Sequence, residues 1–319
     1  MTTIERSILL LWGFTLWSSG CGDGVAVEYV GTDGTDTGDP ATDTATGDTA
    51  TGTESDTATG TETATAEDSE TTSDPVVLPY TGAKKGVVAP VSATLGASLM
   101  DPLNVGWYFN FGPTPSPGYG GTASFVPMFH DAGEVTAENL TALAASPFPD
   151  VMGFHEPENP SEAAMTVDEA IALWPQLESL GRRLGSPAPQ YDPAAGWLGD
   201  FMDRAQTDGL RVDFVCIHWF TESGVVELQQ VIDNVAARYG LPIWVTMFSL
   251  WDGNTVHTAE EQAAFAIDAA AMLEAHPSVE RYAWFSMWEV TDSTDFETNH
   301  LYDAAGALTP VGDAWATLP

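Results

Sequence analysis

The fold is decided by a nearly unbroken apolar run at residues 242–250, PIWVTMFSL. Its length and its β-branched and aromatic content favour a strand that is buried on both faces, as in a parallel sheet. Seven further runs of this kind are present, at residues 86–90, 104–109, 124–129, 150–154, 183–187, 212–219 and 280–288. Together they predict eight strands.

Helical patterns alternate with these strands, at residues 136–145, 166–180, 194–205, 225–239 and 258–274. Thr136, Thr166 and Thr258 are the first residues of three of them and are placed to act as N-caps, and Thr166 begins a capping box with Glu169. This alternation predicts an α/β fold, a single (β/α)8 TIM barrel over residues 76–319. A doubly wound sheet is the alternative architecture. The sequence lacks its glycine fingerprint and any phosphate loop, so we expect no nucleotide and no other cofactor.

The charge balance is strongly acidic, with 9 Lys and Arg against 46 Asp and Glu and a net charge of −37. This charge argues against nucleic acid as a partner, because a polyanion would be repelled. Residues 22–75 are rich in Thr, Asp and Gly and contain no Lys or Arg. Such a low-complexity segment cannot bury enough apolar surface to fold, so we expect a disordered linker before a monomeric domain.

Residues 1–21 have the pattern of a signal peptide. Arg6 precedes an apolar run at 8–14, and small residues at 18–20 precede Cys21, as at a bacterial lipoprotein cleavage site. We expect export and acylation of Cys21, which would anchor the protein on a bacterial cell envelope. This anchor is the only membrane contact that the sequence predicts. Ordinary secretion is the alternative, since Ser18 replaces the usual Leu.

In a barrel of this type, the side chains at the ends of the strands form the functional face. Here those side chains are mostly aromatic or imidazole groups, which suit the faces and the hydroxyls of sugar rings. They predict a carbohydrate groove, although any one Trp has an alternative role in the core. The predicted substrate-binding residues are Asn104, Trp107, Tyr108, His130, His155, His218, Trp219, Trp251, Trp284 and Trp288.

Glu156 is the candidate acid among these strand-end residues. The following Pro157 predicts an extended backbone at Glu156 and a loop at the mouth of the barrel. Flanked by Phe154 and Pro157, the carboxyl group is expected to have a raised proton affinity. A carboxyl group of this kind can donate a proton to a glycosidic oxygen. The alternative is a structural capping or ion-pairing role.

Several segments match a known family in order along the chain: 104–111 (NVGWYFNF), 125–128 (FVPM), 153–159 (GFHEPEN), 165–170 (MTVDEA), 184–188 (LGSPA), 212–220 (VDFVCIHWF) and 242–246 (PIWVT). They resemble the Asl1-like glycosyl hydrolase catalytic domain of glycoside hydrolase family 128, the endo-β-1,3-glucanase type. The resemblance implies a barrel that hydrolyses β-1,3-glucan internally with retention of configuration. It therefore implies β-1,3-glucan as the partner of this chain.

The resemblance also implies two catalytic positions. The acid/base of the family maps to Glu156, and its nucleophilic glutamate maps to Met247. A thioether cannot form the glycosyl intermediate of a retaining mechanism. Two further departures accompany this one, since His155 replaces an Asn of the family and His130 replaces a Trp.

Three hypotheses follow from this pattern. The first is a working glycosidase whose substitute carboxylate comes from a residue near another strand end: Glu289, Asp252 or Glu222. The second is a non-catalytic, cell-surface glucan-binding pseudoenzyme. The third is metal-dependent chemistry, with N and O ligands that suit zinc drawn from His130, His155, Glu156 and His218. The first two hypotheses require no metal.

Overall fold

A computed structural model of the chain describes residues 82–89, 99–115, 121–221, 224–251, 256–288 and 298–319. Its strands are β1 (Lys85–Val88), β2 (Trp107–Phe109), β3 (Ser124–Phe125), β4 (Asp150–Val151), β5 (Arg183–Leu184), β6 (Val215–Thr221), β7 (Ile243–Leu250) and β8 (Val279–Trp284). Its α-helices are α1 (Ala137–Ala144), α2 (Val167–Glu178), α3 (Gly196–Asp208), α4 (Val225–Tyr239), α5 (Ala259–Ala275) and α6 (Pro310–Thr317). The predicted signal segment, the linker and Cys21 lie outside the described residues.

The strands pair in parallel, in the order β3-β2-β1-β8-β7-β6, with β4 and β5 as a separate parallel pair. Two isolated parallel bridges join these groups, Met128 with Met152 and Gly185 with Phe214. Each strand therefore has a parallel neighbour on both sides. The predicted α/β fold with parallel strands is confirmed.

Strands β3, β4 and β5 are shorter than the predicted apolar runs. Proline explains part of this difference, because Pro127 and Pro187 lie within those runs and have no backbone N–H to donate to a ladder. The chain stays extended beyond the strands and forms isolated bridges, one of which pairs His155 with Ala188. These bridges keep the strand ends adjacent to one another.

Strand β7 is buried along its whole length, as predicted for a strand that is covered on both faces. Its side chains alternate between two apolar clusters. Trp244 and Met247 pack in an inner cluster with residues of the other strands. Val245 and Phe248 pack in a second cluster that includes residues of the helices. The one-residue shift in the pairing of β6 with β7, between Ile217 and His218, sets which side chains face inward near the strand ends.

The predicted helix starts are confirmed at Thr136, Thr166 and Thr258, whose side chains accept hydrogen bonds from the backbone of the first turn. Thr166 and Thr258 each form a complete capping box. Helix α6 and two short 3-10 helices, Asp101–Leu103 and Ala132–Glu134, were not predicted. Within the described residues, no helix combines the length and the apolar character that crossing a bilayer would require.

Candidate functional site

Three histidines and a glutamate meet where the parallel strands end. His130 follows β3, His155 and Glu156 follow β4, and His218 lies within β6. The ring centroids of His130 and His155 are 5.0 Å apart, and those of His155 and His218 are also 5.0 Å apart. The strand-end positions that the sequence indicated are therefore brought together at these four residues.

The carboxylate of Glu156 is buried and has two side-chain partners. Nδ1 of His218 lies 3.1 Å from Oε1, and Nδ2 of Asn159 donates to Oε2 at 3.1 Å. Burial acts to raise the pKa of Glu156, but the hydrogen bonds with the His218 ring and the Asn159 amide outweigh it and lower the pKa to about 2. The predicted rise in proton affinity was therefore wrong. The polar partners of the carboxylate, and not the apolar neighbours Phe154 and Pro157, determine the pKa of Glu156.

The backbone at Glu156 also differs from the prediction. Its φ is 40°, in the left-handed region, whereas the following proline predicted an extended conformation. Its N–H donates to the carbonyl of Ala188 at 2.8 Å, and its own carbonyl accepts from the N–H of Asn159 at 2.9 Å. These two bonds hold a conformation that costs on the order of 1–3 kcal/mol in a residue with a side chain. Such strain is concentrated at functional sites.

Met247 lies next to His218 in the site. The two residues are partners in the register of β6 with β7, and the side chain of Met247 is buried in the inner cluster. The position to which the resemblance assigns a nucleophile is therefore directly beside the residue that contacts Glu156. The structure places an uncharged thioether there.

His155 is fully buried, and neither of its ring nitrogens has a hydrogen-bond partner. Burial lowers the pKa of His155 well below its usual range, which leaves the imidazole neutral. Phe111 packs edge-on against this ring, with centroids 5.0 Å apart. Sequence analysis missed Phe111, because it lies beyond the end of β2 in a loop with no periodic pattern.

Glu162 is a second residue that sequence analysis missed. Its Oε2 lies 3.1 Å from Nε2 of His130 and 3.8 Å from Nε2 of His155. The glutamate belongs to the irregular segment before α2, where no periodicity indicates the direction of a side chain. His130, His155 and Glu162 each offer one possible metal-ligand atom, and these three atoms lie within 4.8 Å of one another. Within the described residues, this is the one group of metal-ligating side chains that converges in this way.

This group shares two residues, His130 and His155, with the metal-ligand set of the third hypothesis. Glu156 and His218 are in contact with each other and are absent from the group that converges. His130 and His155 are retained, and Glu162 supplies the carboxylate. The predicted substitute carboxylates, Glu222, Asp252 and Glu289, lie outside the described residues.

Aromatic side chains flank the site at the same end of the strands. Trp251, at the end of β7, is half-buried beside the inner cluster and packs edge-on against Phe220 at 6.0 Å. Trp219 is a correction, because it follows His218 in β6 and packs against the second apolar cluster on the other face of the strand. Tyr191 follows the bridge between Ala188 and His155 and is 64% exposed, and it was not predicted. Trp288 is half-buried and packs against Tyr302 beyond β8.

Asn104 and Trp107 were predicted to bind substrate at the carboxyl ends of the strands. This prediction is corrected, because both residues lie at the amino-terminal side of the strands. Asn104 precedes β2 and its amide donates to the carbonyl of Leu318. Trp107 begins β2 and packs inward against Trp244, the second residue of β7. It lies four residues before Phe111, which is about 13 Å along an extended chain. The sequence located the strand correctly but not the end at which these residues lie.

Tyr108 and Trp284 were also predicted to bind substrate. This prediction is corrected for a different reason, because both side chains lie in the second apolar cluster rather than the inner one. The ring of Tyr108 packs on Phe125, with centroids 5.3 Å apart. Trp284 packs on Phe248 at 5.3 Å, and its indole N–H donates to the carbonyl of Asn299. Successive side chains of a strand point to opposite faces of the sheet. A short apolar run does not show which face each residue occupies, because this depends on the register of the strand.

Comparison with known proteins gives consistent results. Residues 86–315 match the glycosyl hydrolase catalytic core family. The chain is 30% identical over 222 residues to alkali-sensitive linkage protein 1 of Schizosaccharomyces pombe, a match that covers 66% of this chain and 40% of that protein. The chain thus spans less than half the length of this relative.

The solved structures that are similar over most of the chain include two endo-β-1,3-glucanases. One is a family 128 (subgroup I) endo-β-1,3-glucanase from Amycolatopsis mediterranei in complex with laminaritriose, at 34% identity and a TM-score of 0.66, covering 74% of this chain and 99% of that one. The other is a subgroup II endo-β-1,3-glucanase from Sorangium cellulosum, at 27% identity and a TM-score of 0.64, covering 74% and 98%. The match over residues 86–315 shows that the chain belongs to the glycosyl hydrolase catalytic core family, with an Asl1-like domain of glycoside hydrolase family 128.

Proposed function

We propose that this protein binds β-1,3-glucan in a groove at the carboxyl end of a closed (β/α)8 barrel and does not cleave it by the retaining mechanism. The barrel is supported by the pairing of the eight strands, each of which has a parallel neighbour on both sides. The ligand class is supported by the similarity to endo-β-1,3-glucanases, one of them in complex with laminaritriose.

Met247 is the observation that carries this proposal. Retaining cleavage needs two carboxyl groups about 5 Å apart, one of them as the nucleophile. At the corresponding position this chain has a thioether, which is buried beside His218. It has neither the charge nor the nucleophilicity to form a glycosyl intermediate. Loss of one member of such a catalytic unit typically lowers the rate by several orders of magnitude.

The groove retains features that suit sugar binding. Trp251 presents a half-buried aromatic surface beside the inner cluster, and Tyr191 presents an exposed one. Such surfaces stack on the CH-rich faces of glucose units. Nε2 of His218 is buried without a hydrogen-bond partner. We assign this ring nitrogen to a glucan hydroxyl, which would satisfy it.

Calorimetric titration of the full chain with laminari-oligosaccharides tests the binding. We expect saturable binding that is absent with cello-oligosaccharides of equal length. Trp251→Ala is expected to weaken binding about tenfold, since a stacking contact is worth about 0.5–1.5 kcal/mol. Ile267→Ala, which truncates a 45% exposed apolar side chain on α5, is the control and is expected to bind normally. Equal affinity for both glucans, or no binding at all, would overturn the proposal.

We further propose that the domain is displayed on a cell envelope by acylation of Cys21. The apolar run at 8–14 and the small residues at 18–20 support this location. In a bacterium with a lipoprotein export pathway, we expect the full chain in the membrane fraction and the Cys21→Ser variant in the soluble exported fraction. The same distribution for both variants would contradict the anchor.

A further inference from the structure

Three side chains from separate segments converge beside the Glu156–His218 pair. His130 follows β3, His155 follows β4, and Glu162 lies in the segment before α2. One ligand atom from each lies within 4.8 Å of both others. Oε2 of Glu162 is 3.1 Å from Nε2 of His130 and 3.8 Å from Nε2 of His155.

The burial of His155 points to a missing partner in this cluster. Its side chain is 0% exposed, and both ring nitrogens are buried without a hydrogen bond. A buried polar group without a partner costs about 1–3 kcal/mol, so native structures nearly always satisfy such groups. Oε2 of Glu162 lies 3.8 Å from Nε2, which is too long for a hydrogen bond.

The spacing fits a shared metal ion. Zinc binds imidazole nitrogen and carboxylate oxygen at about 2.0–2.2 Å in tetrahedral geometry, which places two ligand atoms roughly 3.4 Å apart. The separations of 3.1 Å and 3.8 Å lie on either side of that value. Two imidazoles and one carboxylate are also a donor set that suits zinc and its first-row neighbours.

We propose that His130, His155 and Glu162 form a binding site for a divalent first-row transition metal ion of the zinc class. Three protein ligands leave one tetrahedral position for water or a ligand hydroxyl. The side chain of His130 is 16% exposed and gives the ion a route from solvent, whereas Glu162 is 3% exposed. The ion gives His155 the partner that it lacks.

The surroundings of the cluster favour a cation. The backbone N–H of His130 donates to Glu134, and Asp131 lies 3.8 Å from its Nδ1, so further carboxylates surround the site. The local potential is therefore negative, as is the net charge of the chain. Binding would tie together the segments after β3 and β4 and the loop before α2, next to the Glu156–His218 pair. This inference does not depend on glucan binding.

Metal uptake by the chelator-treated full chain tests the site. Zinc is added, excess ion is removed by gel filtration, and bound metal is measured. We expect one tightly bound equivalent, with affinity at least tenfold lower in Glu162→Gln, a variant of unchanged size. Cobalt(II) should give visible absorption bands typical of tetrahedral coordination in the wild type and not in Glu162→Gln. Circular dichroism confirms that the variant is folded.

His276→Ala is the matched control, because Nε2 of His276 lies 3.1 Å from Oδ1 of Asp233 with no second histidine in that pair. This distance equals the one between His130 and Glu162. We expect unchanged uptake in this variant. Weak uptake by the acidic segment at 22–75 is common to all variants and cancels in the comparison. Equal affinity in Glu162→Gln and the wild type, or the absence of a tightly bound equivalent in the wild type, would overturn the proposal.

Discussion

Glu156 and His218 form a buried pair, with 3.1 Å between Oε1 of the carboxylate and Nδ1 of the imidazole. Their side chains are 3% and 1% exposed. His218 is also the register partner of Met247. The pair therefore links the retained acid/base position of the family to its substituted nucleophile position.

Removal of His218 is expected to destabilise the fold strongly. His218→Ala leaves the buried Glu156 carboxylate with the Asn159 amide but without its imidazole partner, and breaking a buried pair in this way typically costs about 3–5 kcal/mol. His276→Ala breaks a pair of the same 3.1 Å length in which Asp233 is 58% exposed, and we expect a loss below about 1 kcal/mol. Denaturant unfolding of both variants measures the difference. Similar losses for the two would show that burial does not determine the contribution of the Glu156 pair.

Substitution of Gly153 is expected to disturb the strand that leads to the site. A Cβ there would lie 2.9 Å from the backbone nitrogen of Pro187 and 3.0 Å from the backbone carbon of Ser186, neither of which can move freely. Gly153→Ala should lower the free energy of unfolding by about 1–3 kcal/mol. Gly199→Ala, in α3 with nothing within 4 Å of the added methyl group, should raise it by about 1 kcal/mol. A neutral or stabilising Gly153→Ala would contradict the packing described here.

Lys85 is expected to make stability depend on pH in the alkaline range. Burial lowers its pKa from 10.5 to about 8, although its ammonium group donates to the carbonyls of Trp315 and Leu318. Because the folded pKa is below the unfolded one, the unfolded state binds more protons between pH 8 and 10.5. Stability from this group therefore rises with pH across that window.

Comparison with Lys85→Met isolates this effect, since other titrating groups are common to both proteins. From pH 7 to pH 9, the free energy of unfolding of the wild type should rise by about 1 kcal/mol relative to the variant. Parallel pH profiles for the two proteins would show that Lys85 titrates normally in the folded state.

Restoring a carboxylate at position 247 is expected to give hydrolytic activity. Met247→Glu places an acid beside His218, whose ring contacts Glu156. We expect release of reducing ends from β-1,3-glucan by this variant at a rate clearly above that of the wild type. Met247→Gln has the same size without a nucleophile and should remain inactive. A variant pair with equal activity would mean that position 247 does not limit turnover.

Local sequence signals predicted much of the fold. Thr166 and Thr258 began helices because their side chains cap the first turn, a signal contained within four residues. The eight parallel strands followed from their near-continuous apolar runs. Helix α6 was not predicted, although Thr309 caps it and Pro310 occupies its first turn, because its eight residues are too few to show a helical period.

The site was only partly predictable, because it depends on register and on loop conformation. Trp107 and Tyr108 are adjacent in β2, yet their side chains lie in different apolar clusters. Glu162 contacts His130, but it lies in an irregular segment, where no periodic pattern predicts which way a side chain points. The lowered pKa of Glu156 depends on His218, which is 62 residues distant in sequence.

Incubation of the full chain with laminarihexaose, followed by chromatographic separation of the sugars, tests the central claim most directly. The thioether at Met247 predicts that the hexaose is bound saturably and recovered intact. Accumulation of shorter oligosaccharides with the wild type, and not with Glu156→Gln, would show that the protein cleaves β-1,3-glucan with another nucleophile and would contradict the account.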